Sequence, residues 1–286
     1  MANRVKVAGV QMEPKILEKA RNLDRCIQFL REAANKGARL IVFPECALTG
    51  YCFSSLEEAM PGGEPIPGPS TEALAALCKE LEVYAIIGLL ERVGEELYNA
   101  AAVIGPRGVV GHYRKIHLPY LGVDRFVNPG DRPFRVYATD VGVLGTHICY
   151  DCSFPESTRV MALQGGEIIA LPTNWPTGRE NVPAYIVNAR ALENRVHFIA
   201  VNRVGRERGF EFIGRSKIVD TTGTTLAEAS STAEETIYAE VDLGDARRKR
   251  IVIKPGEFEL DFFEDRRPRF YESLVEDVEV VSGRKA

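Results

Sequence analysis

The chain has 286 residues, 45% of them hydrophobic and 27% charged, enough for one large domain or two small ones around a real core. Lys and Arg total 36 against 40 Asp and Glu, a formal net charge of −4, so the basic excess of a nucleic-acid binder is missing and no nucleic-acid partner is expected. No stretch approaches the roughly 18 apolar residues of a membrane span, and residues 1–12 lack the apolar core and cleavage site of a secretory signal, so no membrane partner is expected and a cytoplasmic location is.

Short runs rich in Val and Ile alternate with helical patterns. Residues 5–10 read as a strand. A helix follows over 14–35, where Ile16, Ala20, Leu23, Ile27, Leu30 and Ala34 recur three or four apart on one face, and Gly37 ends it. Residues 40–43 form a buried-type strand that runs into Pro44-Glu45. After a Pro/Gly-rich loop, Ser70 is suited to cap a helix through Leu81. Strands are predicted over 84–90, 100–104, 109–115 and 141–148, the last ending at Cys149. A helix over 154–163 with Ser153 as cap, a strand over 168–171, a helix over 182–195 and a strand over 198–201 follow. Segments 213–220, 224–229 and 236–241 suggest closing antiparallel strands. Short connections and the absence of a low-complexity linker give a single α/β domain over 1–286.

Three polar residues stand where apolar runs end: Glu45, Lys115 and Cys149. In α/β sheets, sites collect where strands give way to loops. Together the three make a coherent chemistry. A thiol needs a base to become a nucleophile, and a carboxylate supplies one. A tetrahedral oxyanion needs donors, and an ammonium and the backbone N–H of Tyr150 supply them. Taken singly, each has a plainer reading: a surface carboxylate, a solvated lysine and a buried structural thiol.

The surrounding residues change that balance. Phe43-Pro44-Glu45-Cys46-Ala47-Leu48-Thr49-Gly50-Tyr51, Tyr113-Arg114-Lys115-Ile116-His117-Leu118 and Ile148-Cys149-Tyr150-Asp151-Cys152-Ser153-Phe154-Pro155-Glu156 occur in that order. They resemble the three signature blocks of the nitrilase superfamily of carbon–nitrogen hydrolases. Gln11 in Gly9-Val10-Gln11-Met12, Pro129-Gly130-Asp131, Pro172-Thr173-Asn174-Trp175, the stretch from Glu193-Asn194-Arg195 to Asn202-Arg203, and Asp265-Arg266-Arg267-Pro268 extend the match over nearly the whole chain. The resemblance implies a four-layer αββα sandwich, a homodimer or higher homo-oligomer with residues 251–286 as a C-terminal extension at an interface, no cofactor and no metal. It also implies Glu45, Lys115 and Cys149 as the catalytic set, acting on a small-molecule amide through a thioester. Tyr150-Asp151 after the cysteine resembles the amidase and carbamoylase branches, where nitrile-cleaving members carry Trp-Glu. Ureido compounds and nitriles are the alternative substrates, and a silent binding protein on the same fold is the non-enzyme alternative.

One departure stands out. Many members carry a second Glu about six residues before the Pro-Gly-Asp loop. Here the alignment falls on Val123 with Asp124 beside it, so Asp124 is the candidate for the second carboxylate. Tyr51, Asn174 and Trp175 are the candidate substrate-binding residues, and Arg179 could pair with a substrate carboxylate or simply be a surface arginine.

Other readings carry less. Cys149-Tyr150-Asp151-Cys152 is formally a C-x-x-C, but its middle pair and the chain length fit a thioredoxin-like unit poorly. Cys26, Cys46, Cys52 and Cys78 complete six cysteines, expected free in a reducing compartment, and no paired spacing suggests zinc. His147 shares a strand face with Cys149, so a Cys-His dyad competes with a plain packing role. The run from Arg247 to Arg250 follows Asp242 and Asp245 and reads as the basic end of a helix.

Overall fold

The computed structural model describes residues 4–277. Its contacts divide the chain into two compact units, Met1–Arg248 and Lys249–Ala286. In chain order the strands begin with β1 (Arg4–Gln11), β2 (Leu40–Val42), β3 (Tyr84–Val93), β4 (Glu96–Gly105), β5 (Gly108–Arg114), β6 (Val136–Thr139), β7 (Gly142–Thr146) and β8 (Ile168–Thr173). They continue with β9 (His197–Asn202), β10 (Arg206–Glu207), β11 (Phe210–Glu211), β12 (Lys217–Val219), β13 (Thr225–Glu228), β14 (Glu235–Asp242), β15 (Arg250–Lys254) and β16 (Phe258–Asp261). The helices are α1 (Lys19–Asn35), α2 (Leu56–Ala59), α3 (Pro69–Leu81), α4 (Pro155–Leu163), α5 (Val187–Asn194) and α6 (Leu243–Arg247).

Two six-stranded sheets build the first unit, in the orders β14-β1-β2-β3-β4-β5 and β13-β12-β9-β8-β7-β6. Each has three parallel strands at its centre, β1-β2-β3 and β7-β8-β9, flanked by antiparallel ones. Side-chain alternation explains the layering. Val5, Val7, Leu40, Val42, Tyr84 and Ile86 face Leu144, Ile168, Ala170, Ile199, Val201 and Ile218 of the other sheet in one apolar cluster. The alternate residues Ala8, Val10, Ile41, Phe43, Ala85 and Ile87 turn outward onto Cys26, Phe29 and Leu30 of α1 and Leu74, Leu77 and Cys78 of α3. On the far side of the second sheet, α4 lies close on β7: a Cβ at Gly145 would come within 2.9 Å of the Met161 sulfur. The expected αββα sandwich is the result. In the second unit, β15 and β16 form a two-stranded antiparallel hairpin.

Several boundaries differ from the sequence reading for local reasons. The first helix starts at Lys19, not Pro14, because Leu17 sits at φ +62° and Asn22 closes the preceding turn onto Lys15 N and O. Gly68, not Ser70, precedes α3, with Pro69 as its first residue; the Ser70 hydroxyl goes to Glu64 at 2.8 Å. Phe154, not Ser153, precedes α4. The helix expected over 182–195 is a π turn, Val182–Ile186, followed by α5. Asp242 does cap α6 by accepting from Gly244 N at 2.8 Å, but that helix stops at Arg247 and Arg250 opens β15.

Candidate active site

Glu45 follows β2 by way of Phe43-Pro44. Main-chain bonds from Phe43 N to Ile86 O (2.8 Å) and Gly88 N to Pro44 O (3.1 Å) carry the β2–β3 pairing on to its backbone. The approach is so close that a Cβ at Gly88 would stand 2.5 Å from the Glu45 Cα. The carboxylate is fully buried, and its Oε1 accepts from Lys115 Nζ and from Asn99 Nδ2, both at 2.7 Å. Burial raises its pKa above the usual carboxylate range; the Lys115 charge opposes the rise, Asp124 adds to it, and the Asn99 hydrogen bond lowers it.

Lys115 immediately follows β5. Its N–H donates to Asn99 O and its carbonyl accepts from Gly130 N, both at 2.8 Å. Gly130 has no room for a side chain, since a Cβ would lie 2.2 Å from Arg114 O. Next door, Arg114 is held by Glu91 and Asp131. The buried ammonium reaches Glu45 and also Asp124 Oδ2, at 2.5 Å. Burial disfavours its charge, but Asp124 and Glu45 together outweigh that and hold its pKa well above the ordinary lysine value. Asp124, the candidate second carboxylate, lies on a short 3-10 turn (Gly122–Arg125). It also accepts from Asn99 Nδ2 at 2.8 Å and from the Tyr51 hydroxyl at 2.6 Å. Tyr51, expected at a substrate, spends its hydroxyl on this carboxylate. Asn99 was missed by the sequence reading. Its signal was a lone amide within the apolar run of β4, where a buried polar side chain needs partners.

Cys149 opens a 3-10 turn, Cys149–Ser153, just beyond β7. It holds φ +46°, a conformation that a non-glycine residue keeps only when its surroundings enforce it. Asp151 supplies one restraint, accepting from Ile148 N and the Tyr113 hydroxyl at 2.9 Å and from His117 Nδ1 at 2.7 Å. Arg190 supplies the other, donating Nε to Cys152 O at 3.0 Å. Burial pushes the Cys149 thiol up to about 12, and the Glu45 charge adds to this; Lys115, the Thr173 hydroxyl and the Asn174 backbone N–H pull the other way. The resting group is therefore a thiol that needs a base. Tyr150 is the second residue of the turn, half-buried against Phe154.

The model of the carbon–nitrogen hydrolase family matches residues 6–251. The chain belongs to that family. It is 43% identical over 270 residues to a nitrilase of Pyrococcus abyssi, covering 93% of this chain and 99% of the relative. It is 32% identical to an N-carbamoylputrescine amidase of Oryza sativa, covering 96% of this chain and 95% of the relative. Among solved structures, a carbon–nitrogen hydrolase from Helicobacter pylori G27 superposes with a TM-score of 0.82 at 28% identity, over 96% of this chain and 99% of that one.

The remaining predicted residues take varied places in this carbon–nitrogen hydrolase. Asn174, beyond β8, donates Nδ2 to Glu45 O at 3.0 Å. Trp175 is buried, its backbone N donating to Asn202 Oδ1 at 2.8 Å. Arg179 is exposed and reaches Ser153 Oγ at 3.2 Å. Cys152 is buried and its thiol is pushed up to about 12 by burial. His147 does not form a dyad. Its Nδ1 lies 3.0 Å from Ser157 Oγ, its ring packs edge-on to Phe198, and burial lowers its pKa to about 4, so it is a neutral packing residue. Among the described residues no group of three His, Cys, Asp or Glu side chains is placed to hold a metal, and no helix is long and apolar enough to cross a membrane.

Proposed function

We propose that this carbon–nitrogen hydrolase cleaves a small amide, with Cys149 as nucleophile, Glu45 as general base and acid, and Lys115 as oxyanion donor. One observation carries the reading. The Lys115 ammonium gives two of its three N–H bonds to Glu45 and Asp124, while Glu45 Oε2 has no partner among the described residues. A third donor and a free basic oxygen are therefore available where the Cys149 thiol interacts with both charges.

Glu45 takes the thiol proton as Cys149 Sγ bonds to the amide carbon. Negative charge moves to the carbonyl oxygen, met by Lys115 Nζ and the Tyr150 N–H. Glu45 returns the proton to the nitrogen, the C–N bond breaks and ammonia leaves a thioester. Glu45 then deprotonates water, which attacks the carbonyl carbon. The C–S bond breaks, the proton returns to sulfur and a carboxylic acid is released. Asp124 anchors Lys115 throughout. Tyr150-Asp151 after the nucleophile favours amides, and the likeness to the N-carbamoylputrescine amidase of rice keeps ureido compounds in the test.

Exposed apolar residues support the homo-oligomer that the resemblance implied. Val160 and Leu163 on α4 and Leu192 on the adjoining α5 are exposed at 38%, 43% and 43%.

Ammonia release from a panel of small amides, ureido acids and nitriles tests the reaction. Activity on amides that is lost in Cys149→Ala, Lys115→Ala and Glu45→Gln is expected. Release that survives Cys149→Ala would refute the nucleophile.

A further inference from the structure

Three buried polar atoms at Glu45 and Cys149 have no hydrogen-bond partner among the described residues: Glu45 Oε2, Asn174 Oδ1 and Thr173 Oγ1; the last is a hydroxyl beside the Cys149 thiol that can itself donate, which leaves two pure acceptors. The rest of each group is committed. Glu45 Oε1 is taken by Lys115 and Asn99. Asn174 donates Nδ2 to the Glu45 carbonyl, which settles the orientation of its amide, because only the NH2 end can donate. Its backbone N–H is among the groups that favour the Cys149 thiolate. Asn174 is therefore fixed to the backbone of Glu45 on the side of Cys149, and its oxygen is what remains.

A buried acceptor without a donor is costly, so one on Glu45 and one on the side chain bonded to the Glu45 carbonyl define what an occupant must bring. Neither can donate, Glu45 being a carboxylate and Asn174 presenting its oxygen. The complementary group carries two N–H bonds on one atom and can sit with its carbon against Cys149. A primary carboxamide does, and so does the terminal NH2 of a ureido group. An ester oxygen and a nitrile nitrogen carry none.

We propose that Asn174 is a specificity-determining residue. Its Oδ1 and Glu45 Oε2 receive the two N–H bonds of the substrate's NH2 group, so the site selects primary amides over esters and nitriles of the same acyl group. The proposal rests on the hydrolase reading above. It assigns Asn174 a part in acylation alone, because an amide and an ester of one acid give the same thioester. While it accepts the substrate N–H, Glu45 Oε2 keeps a second lone pair for the thiol proton, and once ammonia has left it takes a proton from water.

The test measures kcat/KM for a primary amide, its N-methyl amide and the methyl ester of the same acid, taking the acyl group of the best amide in the panel. In Asn174→Leu the amide-to-ester ratio should fall about tenfold or more relative to wild type. Equal loss on amide and ester would overturn the proposal and make Asn174 a support for Glu45 or Cys149. If Asn174→Leu does not fold, wild type decides: the N-methyl amide should be about tenfold or more worse than the primary amide. Equal rates would overturn the proposal. A wild type inactive on every amide and ester, its Cys149 still alkylated by iodoacetamide, would overturn the hydrolase reading itself.

Discussion

At the scale of single residues, the site is governed by which oxygen is occupied. Asn99 Nδ2 carries two protons and gives one to Glu45 Oε1 and the other to Asp124 Oδ1, while Lys115 binds the same pair of carboxylates from its own side. The four side chains close a ring, and Glu45 is left with one oxygen that has no partner among the described residues. A hydrogen bond to a carboxylate favours its charged form. Removing it should raise the Glu45 pKa further, so the acidic limb of the kcat/KM profile should move to higher pH in Asn99→Ala. The shift should be larger in Asn99→Asp, which replaces the donor with a further acid. The pH dependence of Cys149 alkylation reads the same group without turnover. Profiles that overlay wild type would leave Asn99 a spectator. The three catalytic candidates were legible in the sequence because each ends an apolar run inside a distinctive block. Asn99 was not, since nothing in Leu97-Tyr98-Asn99-Ala100 says that its partners lie 54 and 25 residues away.

At the scale of elements, strand ends aim the chemistry and close packing fixes the aim. Glu45 follows β2, Cys149 follows β7 and Asn174 follows β8, all at the carboxyl ends of the parallel strands. The Gly88–Glu45 approach is a matter of space, because Gly88 has no positive φ. In Gly88→Ala the new methyl group would lie 2.6 Å from both Cys46 N and Pro44 O. Overpacking of this kind costs about 1–3 kcal/mol, so urea denaturation should show a loss of that order. The backbone of Glu45 must also shift, and kcat should fall. An unaltered kcat would show that the base tolerates displacement. Helix periodicity located α1, α3, α4 and α5, but side-chain contacts decided where α1 and α3 start. Asn22 folds back on Lys15, and Glu64 draws the Ser70 hydroxyl away from capping. The short edge strand β6 and the β10–β11 hairpin have too few residues to show a pattern.

At the scale of the whole molecule, the two sheets stack through the alternate faces of their central strands, with Val201 Cγ2 3.0 Å from where a Gly9 Cβ would stand. Gln11 ties them at one end: its Oε1 accepts from Ser216 Oγ at 2.8 Å and its Nε2 donates to Ser230 O at 2.9 Å. The apolar residues left outside on α4 and α5 bear on assembly. Sedimentation should give a dimer or larger species for wild type, and Leu163→Lys combined with Leu192→Lys should lower the mass towards that of one chain. A wild type sedimenting as a single chain would remove the oligomer proposal.

The sequence by itself determined the order of the elements and marked the three residues proposed to head the chemistry, and its resemblance to a known family implied the layers. The order and the marked residues follow from alternation, from helical periodicity and from local blocks, all of which act over a few neighbouring residues. Only the tertiary structure decided that Asp124 meets Lys115, that Tyr51 and Asn99 hold the carboxylates, that His147 turns to Ser157, and that Glu45 Oε2 and Asn174 Oδ1 find no partner among the described residues. Those outcomes depend on which buried donors and acceptors meet across distant segments. Hydrogen bonds are short-ranged and directional, so their pairing is settled when the sheets close and not before.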